Sequence, residues 1–320
     1  MGRRALYSLP KLYMYRRSFL TAVLGAAALH AKNRIDLSRV SVLTDEIAKS
    51  PEEAIAFARQ YGLRWVELRG LPGPKSPYYV TMPESQIVAA ARQLKAAKLK
   101  VSFLNTGMLK YALPGAPPPK RANQSQEQYD KRIAADARQF ENRMEALNKA
   151  IRTAEILGTR KIRIFGFTRV QQPAEVFPRI AEVMKEMAPV AKKAGMSLLI
   201  ENEASCNIAT SAELAEFIKL VPEPIGINWD PINALHRGET VPWPDGYKAL
   251  PMKRVGNVQL KAEGLVIGKP ILDWRAIFNA LDEDGYKGQV GLETHVFDGT
   301  LIEKAHLSMK ELQRLLGANT

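Results

Sequence analysis

Three acidic residues each close a short apolar run. Glu201 ends "MSLLIE", Asp230 ends "PIGINWD" and Glu293 ends "GQVGLE". A further run, "VGNVQLK", carries the amide Gln259 and the ammonium Lys261 near its end. Carboxylates and a carboxamide are hard oxygen donors, which suit Mg²⁺ or Mn²⁺ better than a thiolate-loving metal. Two carboxylates at one site can also share the work of general acid and general base. Acids gathered closely repel, so such a pattern asks for something cationic among them.

Each residue also has a plainer explanation. Asp230 precedes Pro231, and Asp-Pro commonly opens a turn. Glu67 and Arg69 in "ELR" invite a local ion pair. Glu203 reads as a solvated residue beyond its run, and His236 and His306 as surface or helix residues. Trp229 and Phe165 could supply the apolar walls of a site, although both types more often serve the core. What favours chemistry is recurrence: the carboxylates fall at the same relative position in successive runs.

Those runs are short and rich in Val, Ile, Leu or Phe, as strands buried on both faces should be. The sequence predicts strands over 39–44, 64–69, 100–105, 160–166, 196–201, 224–230, 255–261 and 288–293. Helical spacing fills the intervals. "SPEEAIAFARQYG" opens with Ser50, Pro51 and Glu53, and "TSAELAEFIKL" with Thr210 and Glu213, both readable as capping boxes. "FENRMEALNKAIRTAEILG" is a third helix, and "VFPRIAEVMKEMAPVAKKAG" a fourth that Pro189 should interrupt. Gly62, Gly158, Gly195 and Gly285 each precede a strand, where glycine suits a helix end. Eight strand-helix units with right-handed crossovers most simply close an α/β fold of the (β/α)8 TIM barrel type, one domain over 38–317. The rival open sheet usually carries an early glycine-rich phosphate turn, and no such motif is present. The polar, proline-containing stretch from Thr106 to Arg138 reads as a long loop, part of a lid over the strand ends.

The chain has 320 residues, enough for a full core in one large barrel. Net charge is +13, of which residues 1–31 hold five basic groups and no acid, leaving +8 (13 less 5). No basic cluster is interleaved with aromatics, so a nucleic-acid partner is not expected. A lone cysteine, Cys206, excludes an internal disulfide. Four histidines are too few and too scattered for a multi-zinc centre. Residues 1–31 follow the plan of an export signal: a basic start with Arg16-Arg17, an apolar stretch from Phe19 to Leu29, then small residues. The arginine pair followed by Ser18-Phe19-Leu20 resembles a twin-arginine signal, which predicts a periplasmic or secreted protein, or a cytoplasmic one if the signal is not used. The apolar stretch is short of the ~20 residues that span a bilayer, so no stable membrane anchor is expected.

Taken in order, "VSVLTDEI", "WVELRG", "LLIENE", "GINWDPINAL", "VGNVQLKAEG" and "GLETH" resemble the xylose isomerase-like TIM barrels, the family of sugar phosphate isomerases and epimerases. The resemblance covers about residues 38–317. It implies a divalent metal, Mn or Mg first and Zn or Co as alternatives, held by Glu201, Asp230, Gln259 and Glu293. It also implies that Glu201 and Glu293 move a substrate proton. Lys261 matches a lysine common on the seventh strand, and Asn233 falls where some relatives have a substrate-contacting histidine. Gln259 and Ala262 depart from the pattern, standing where the family commonly has histidine and aspartate.

The expected function is a metal-dependent isomerase or epimerase of a sugar or keto-polyol, working through an enediolate. Its catalytic groups are Glu201, Glu293 and Lys261, and its substrate contacts Glu67, Arg163, Asn233 and His295. A lyase or dehydratase shares the same first step. A nuclease of the same superfamily is opposed by the histidine count. A non-catalytic exported sugar-binding barrel is the reading that Gln259 and Ala262 feed.

Overall fold

The computed structural model describes residues 35–268 and 271–317; the expected export segment lies outside them. Among the described residues, eight strands form one parallel sheet, in the order β1-β8-β7-β6-β5-β4-β3-β2. They are β1 (Val40–Val42), β2 (Trp65–Leu68), β3 (Lys100–Leu104), β4 (Lys161–Ile164), β5 (Ser197–Glu201), β6 (Ile225–Trp229), β7 (Val255–Leu260) and β8 (Gln289–Leu292). A parallel bridge between Leu43 and Glu67 joins the two ends of that order, so the sheet is a nearly closed barrel. This is the expected (β/α)8 architecture.

Helices of six residues or more surround it: α1 (Pro51–Gln60), α2 (Glu84–Ala96), α3 (Gln126–Glu141), α4 (Arg143–Leu157), α5 (Pro173–Lys193), α6 (Ser211–Phe217), α7 (Pro231–His236), α8 (Trp274–Glu283) and α9 (Leu301–Leu316). Among these described helices none is long and apolar enough to cross a membrane. At α6 the capping box is complete, with Thr210 and Glu213 serving each other's backbone N–H groups. At α1 only half forms: Ser50 Oγ accepts from Glu53 N at 3.2 Å, but the Glu53 carboxylate takes Lys49 N at 2.8 Å instead. Gly158, at φ +75°, ends α4 in the left-handed conformation that glycine adopts without strain.

Two expectations fail on helices. Pro189 does not interrupt α5, which runs through both Pro178 and Pro189. An interior proline costs about 3 kcal/mol. A long buried face that includes Ile180, Met184, Met187 and Ala191 offsets it, at about 1.5–3 kcal/mol per large apolar side chain. The supposed loop over 106–138 is a loop only to Ser125, because α3 begins at Gln126 behind a complete Ser125–Gln128 capping box. Its first part is also pinned. Phe165, Phe167 and Thr168 donate backbone hydrogen bonds of 2.9 Å to Met108, Leu109 and Tyr111.

The strands are buried on both faces but apolar mainly on the helix side. Val42, Ile162, Ile164, Leu198, Ile200, Val258, Leu260, Val290 and Leu292 join the helices in the main core. The alternate residues Ser41, Glu67, Arg163, Glu201, Asn228, Asn257, Gln259 and Glu293 are buried and polar. Alternation sends them into the barrel. Leu199 helps fill the interior, where a Cβ on Gly226 or Gly256 would come within 2.7 and 2.9 Å of it.

Candidate active site at the barrel mouth

Glu201 ends β5, while Asp230 and Glu293 directly follow β6 and β8, and the structure brings the three carboxylates together. One oxygen each of Glu201, Asp230 and Glu293 lie within 4.8 Å of one another, all buried. Local structure fixes each of them. Asn228 and Arg163 donate to Glu201 Oε2 at 2.7 and 3.0 Å. Asp230 Oδ1 accepts from Ile232 N and Asn233 N, both at 2.9 Å, and so caps α7. The turn-forming reading of Asp230 is therefore right, and it uses only one oxygen. The other, Oδ2, makes no hydrogen bond although it is buried. Lys261 Nζ forms an ion pair with it at 3.0 Å.

Cations interleave the acids. Arg163 Nη1 reaches Glu201 at 3.0 Å and Glu293 at 3.8 Å. Lys261 Nζ reaches Asp230 at 3.0 Å and Glu293 at 3.9 Å, and also donates to Asn233 Oδ1. Arg69 joins Asp45 at 2.9 Å, Glu46 at 2.7 Å and Glu293 at 3.2 Å. Burial pushes the Glu201 carboxyl up to about 7; Arg163 opposes this, while Glu293 and Asp230 add to it. Burial disfavours the Lys261 ammonium, yet Asp230, Glu293 and Glu201 outweigh it and hold the proton more tightly than usual. For Glu46, burial is overcome by hydrogen bonding from His295 and by the Arg69 charge, and its carboxyl falls to about 2.

The other expected residues divide. Asn233 is at the site: its Nδ2 donates to Asn202 O at 2.9 Å and Glu201 Oε1 at 3.4 Å. His295 stands at the rim, donating its backbone N–H to Glu46 Oε2 at 2.6 Å, and shares a second acidic group with Glu46 and Glu293. Gln259 is not brought to the carboxylates. Its Oε1 accepts from Asn257 at 2.8 Å and its Nε2 donates to Glu67 Oε2 at 3.2 Å. Glu67 departs from its expected role as a substrate contact. It is fully buried within the barrel, and Ser41, Asn257, Asn105 and Gln259 fill its two oxygens. Nor does it pair with Arg69, which turns to Asp45, Glu46 and Glu293 instead.

Asn202 and Asn228 support the carboxylate cluster, and residue type alone did not signal them. Asn202 accepts from Asp230 N at 2.8 Å and donates to Asp230 O at 2.7 Å, tying the ends of β5 and β6 together. The signal for Asn228 was its inward register, two residues before Asp230. Trp229 is a core residue whose Nε1 donates to Ser211 Oγ at 3.0 Å. Phe165 lies under two cations, 4.6 Å from Lys110 and 4.9 Å from Arg163.

The donor set can hold a hard divalent ion. Three carboxylates converge, and the unbonded Asp230 Oδ2 is a buried lone pair aimed into the cluster. Carboxylates at strand C-termini, in a barrel of this order, are the architecture of a recognised family. The sequence profile of the xylose isomerase-like TIM barrels matches residues 55–316. The chain belongs to this family. Among relatives of this xylose isomerase-like barrel, the inosose dehydratase of Serratia proteamaculans (strain 568) is 24% identical over 142 residues, covering 37% of this chain and 48% of that protein. The chain thus spans about half the length of the curated relative it matches. The apo form of 3-keto-D-glucoside 4-epimerase from E. coli aligns with a TM-score of 0.63 and 14% identity, covering 88% of this chain and 100% of that one. A xylose isomerase-like TIM barrel protein from Mycobacterium smegmatis in complex with magnesium aligns with a TM-score of 0.58 and 16% identity, covering 87% of this chain and 98% of that one. At such identities the likeness to these structures is one of fold.

Proposed function

We propose that this xylose isomerase-like barrel moves a proton on a carbon beside a carbonyl, as an isomerase or epimerase of a sugar or keto-polyol. The observation that carries the reading is the buried Glu201–Asp230–Glu293 cluster at the strand C-termini, threaded by Arg163 and Lys261. Glu201, Asp230 and Glu293 would hold a divalent ion, which supplies electrophilic pull on a substrate carbonyl and hydroxyl.

The chain's own groups account for the rest. One of Glu201 and Glu293 removes the proton as general base, and the other returns one. Return to the opposite face gives an epimer, and return to the neighbouring carbon gives an isomer. Arg163, 3.0 Å from Glu201, and Lys261, 3.9 Å from Glu293, place positive charge beside the base at either side. They stabilise the negative charge that develops on the enediolate oxygens. Asn228 and Asn233 hold Glu201 in place and leave its reacting oxygen oriented.

The match to an inosose dehydratase favours a second reading with the same first step. There the carbanion expels a neighbouring hydroxyl as water. Product analysis by NMR over a panel of free ketoses and cyclic keto-polyols, with Mn²⁺ or Mg²⁺ supplied, separates the two. An isomer or epimer of unchanged mass supports the first reading, and loss of water supports the second. Tight binding of such sugars with no conversion of any of them would contradict both readings and return a non-catalytic sugar-binding barrel.

A further inference from the structure

We propose that Lys261 is a built-in counter-cation of the Glu201–Asp230–Glu293 cluster, competing with a divalent ion for the same oxygens. The barrel mouth then stays folded without metal and binds metal weakly. The inference rests on the reading of that cluster as a metal site.

Three carboxylates within 4.8 Å of one another repel strongly in a buried setting. In this chain three side-chain cations already face them: Arg163 meets Glu201, Arg69 meets Glu293, and Lys261 meets Asp230. Lys261 differs from the two arginines. It is among the largest fully buried side chains, and its ammonium is enclosed by Asp230, Asn233 and Glu293. The oxygen it approaches is Asp230 Oδ2, the one that Asp230 has left after capping α7 with Oδ1. A metal needs that oxygen too, at about 2.0–2.6 Å. A divalent ion held by Asp230 and Glu293 would therefore compete with the ammonium that already faces both carboxylates.

The expected fourth ligand does not make up the loss. Gln259, the fourth ligand that the sequence suggests, has its amide oxygen turned to Asn257 and its nitrogen to Glu67. A metal thus finds three anionic donors, one of them shared with Lys261. To enter, it must draw the ammonium away from Asp230 and bear the cost of that displacement.

Calorimetric titration of the metal-stripped protein with Mn²⁺, beside thermal unfolding in EDTA and in Mn²⁺, tests this. Wild type should melt at the same temperature in both solutions. Lys261→Met should bind Mn²⁺ on the order of tenfold tighter or more. It should also melt lower in EDTA and recover in Mn²⁺. Lys261→Gln, which keeps a donor for Asn233, should behave in the same way if the methionine variant does not fold. A wild-type melting temperature that drops several degrees on metal removal overturns the proposal, as does a neutral variant that binds no tighter than wild type. In those cases the metal site itself still stands. Absence of Mn²⁺ binding by wild type and by both variants overturns the metal site as well.

Discussion

Two sets of buried acids occupy the same barrel at different depths. At the mouth, Glu201, Asp230 and Glu293 face Arg163, Lys261 and Arg69, charge against charge. Inside the barrel, Glu67 faces only neutral donors within hydrogen-bonding distance: Ser41 at 2.9 Å, Asn105 at 3.0 Å, Gln259 at 3.2 Å and Asn257 at 3.3 Å. Burial raises the Glu67 carboxyl, and those four hydrogen bonds pull against it. The inner acid is saturated, with two donors on each oxygen. It is also enclosed, because a Cβ on Gly291 would fall 1.9 Å from its Oε1. At the mouth an oxygen of Asp230 keeps an open lone pair. A saturated acid is scaffold, whereas an acid cluster with an oxygen outside any hydrogen bond and charged partners can take a ligand.

The largest effect that would sharpen this contrast is on catalysis. Glu293→Gln should cut turnover by about 10²–10⁴-fold, the usual worth of a general acid or base, while melting near the wild-type temperature. Full activity in that variant would break the contrast at the mouth. Glu67→Ala should do the reverse. It strands four buried donors and should cost about 2–4 kcal/mol in denaturant unfolding, with kcat in the folded protein far less affected. Gly291→Ala should cost about 1–3 kcal/mol by crowding Glu67 and Gln259, and less than that in a Glu67→Ala background.

The smallest expected effect lies at the other end of the interior. Lys161 Nζ donates to Gly256 O and Gln289 Oε1 at 2.8 and 3.1 Å. Burial lowers its pKa from 10.5 to about 8. Between those values the unfolded chain carries a proton that the folded chain has released. Stability should therefore rise with pH from about 8 to 10.5. Unfolding curves of Lys161→Met against wild type should show the rise flattened in the variant.

The strands were legible in the sequence because each apolar run stops abruptly at a polar residue, and all eight lie within the predicted spans. The convergence of Glu201, Asp230 and Glu293 followed from those stops once a barrel was assumed. α3 was missed because it is polar, with Asp136 its only buried residue, although Ser125 and Gln128 spelled out its cap. Partners far apart in the chain were not legible. Arg69 pairs with Glu293 across 224 positions, although the sequence offered it Glu67 two residues away. Gln259 looked like a ligand by its place on the seventh strand. Its direction is set by Asn257 beside it and by Glu67, 192 positions earlier. Residue type announces which groups can do chemistry, while the packing of distant strands decides which of them face one another.

On the proposed reading, the two mouth glutamates move a carbon-bound proton next to a carbonyl. The direct test follows deuterium by NMR in D₂O, with the Mn²⁺-supplied protein and the same panel of ketoses and cyclic keto-polyols. Deuterium should enter at the carbon adjoining the carbonyl of at least one substrate with wild type, and not with Glu293→Gln. No incorporation into any of them, or equal incorporation by both proteins, would contradict the account.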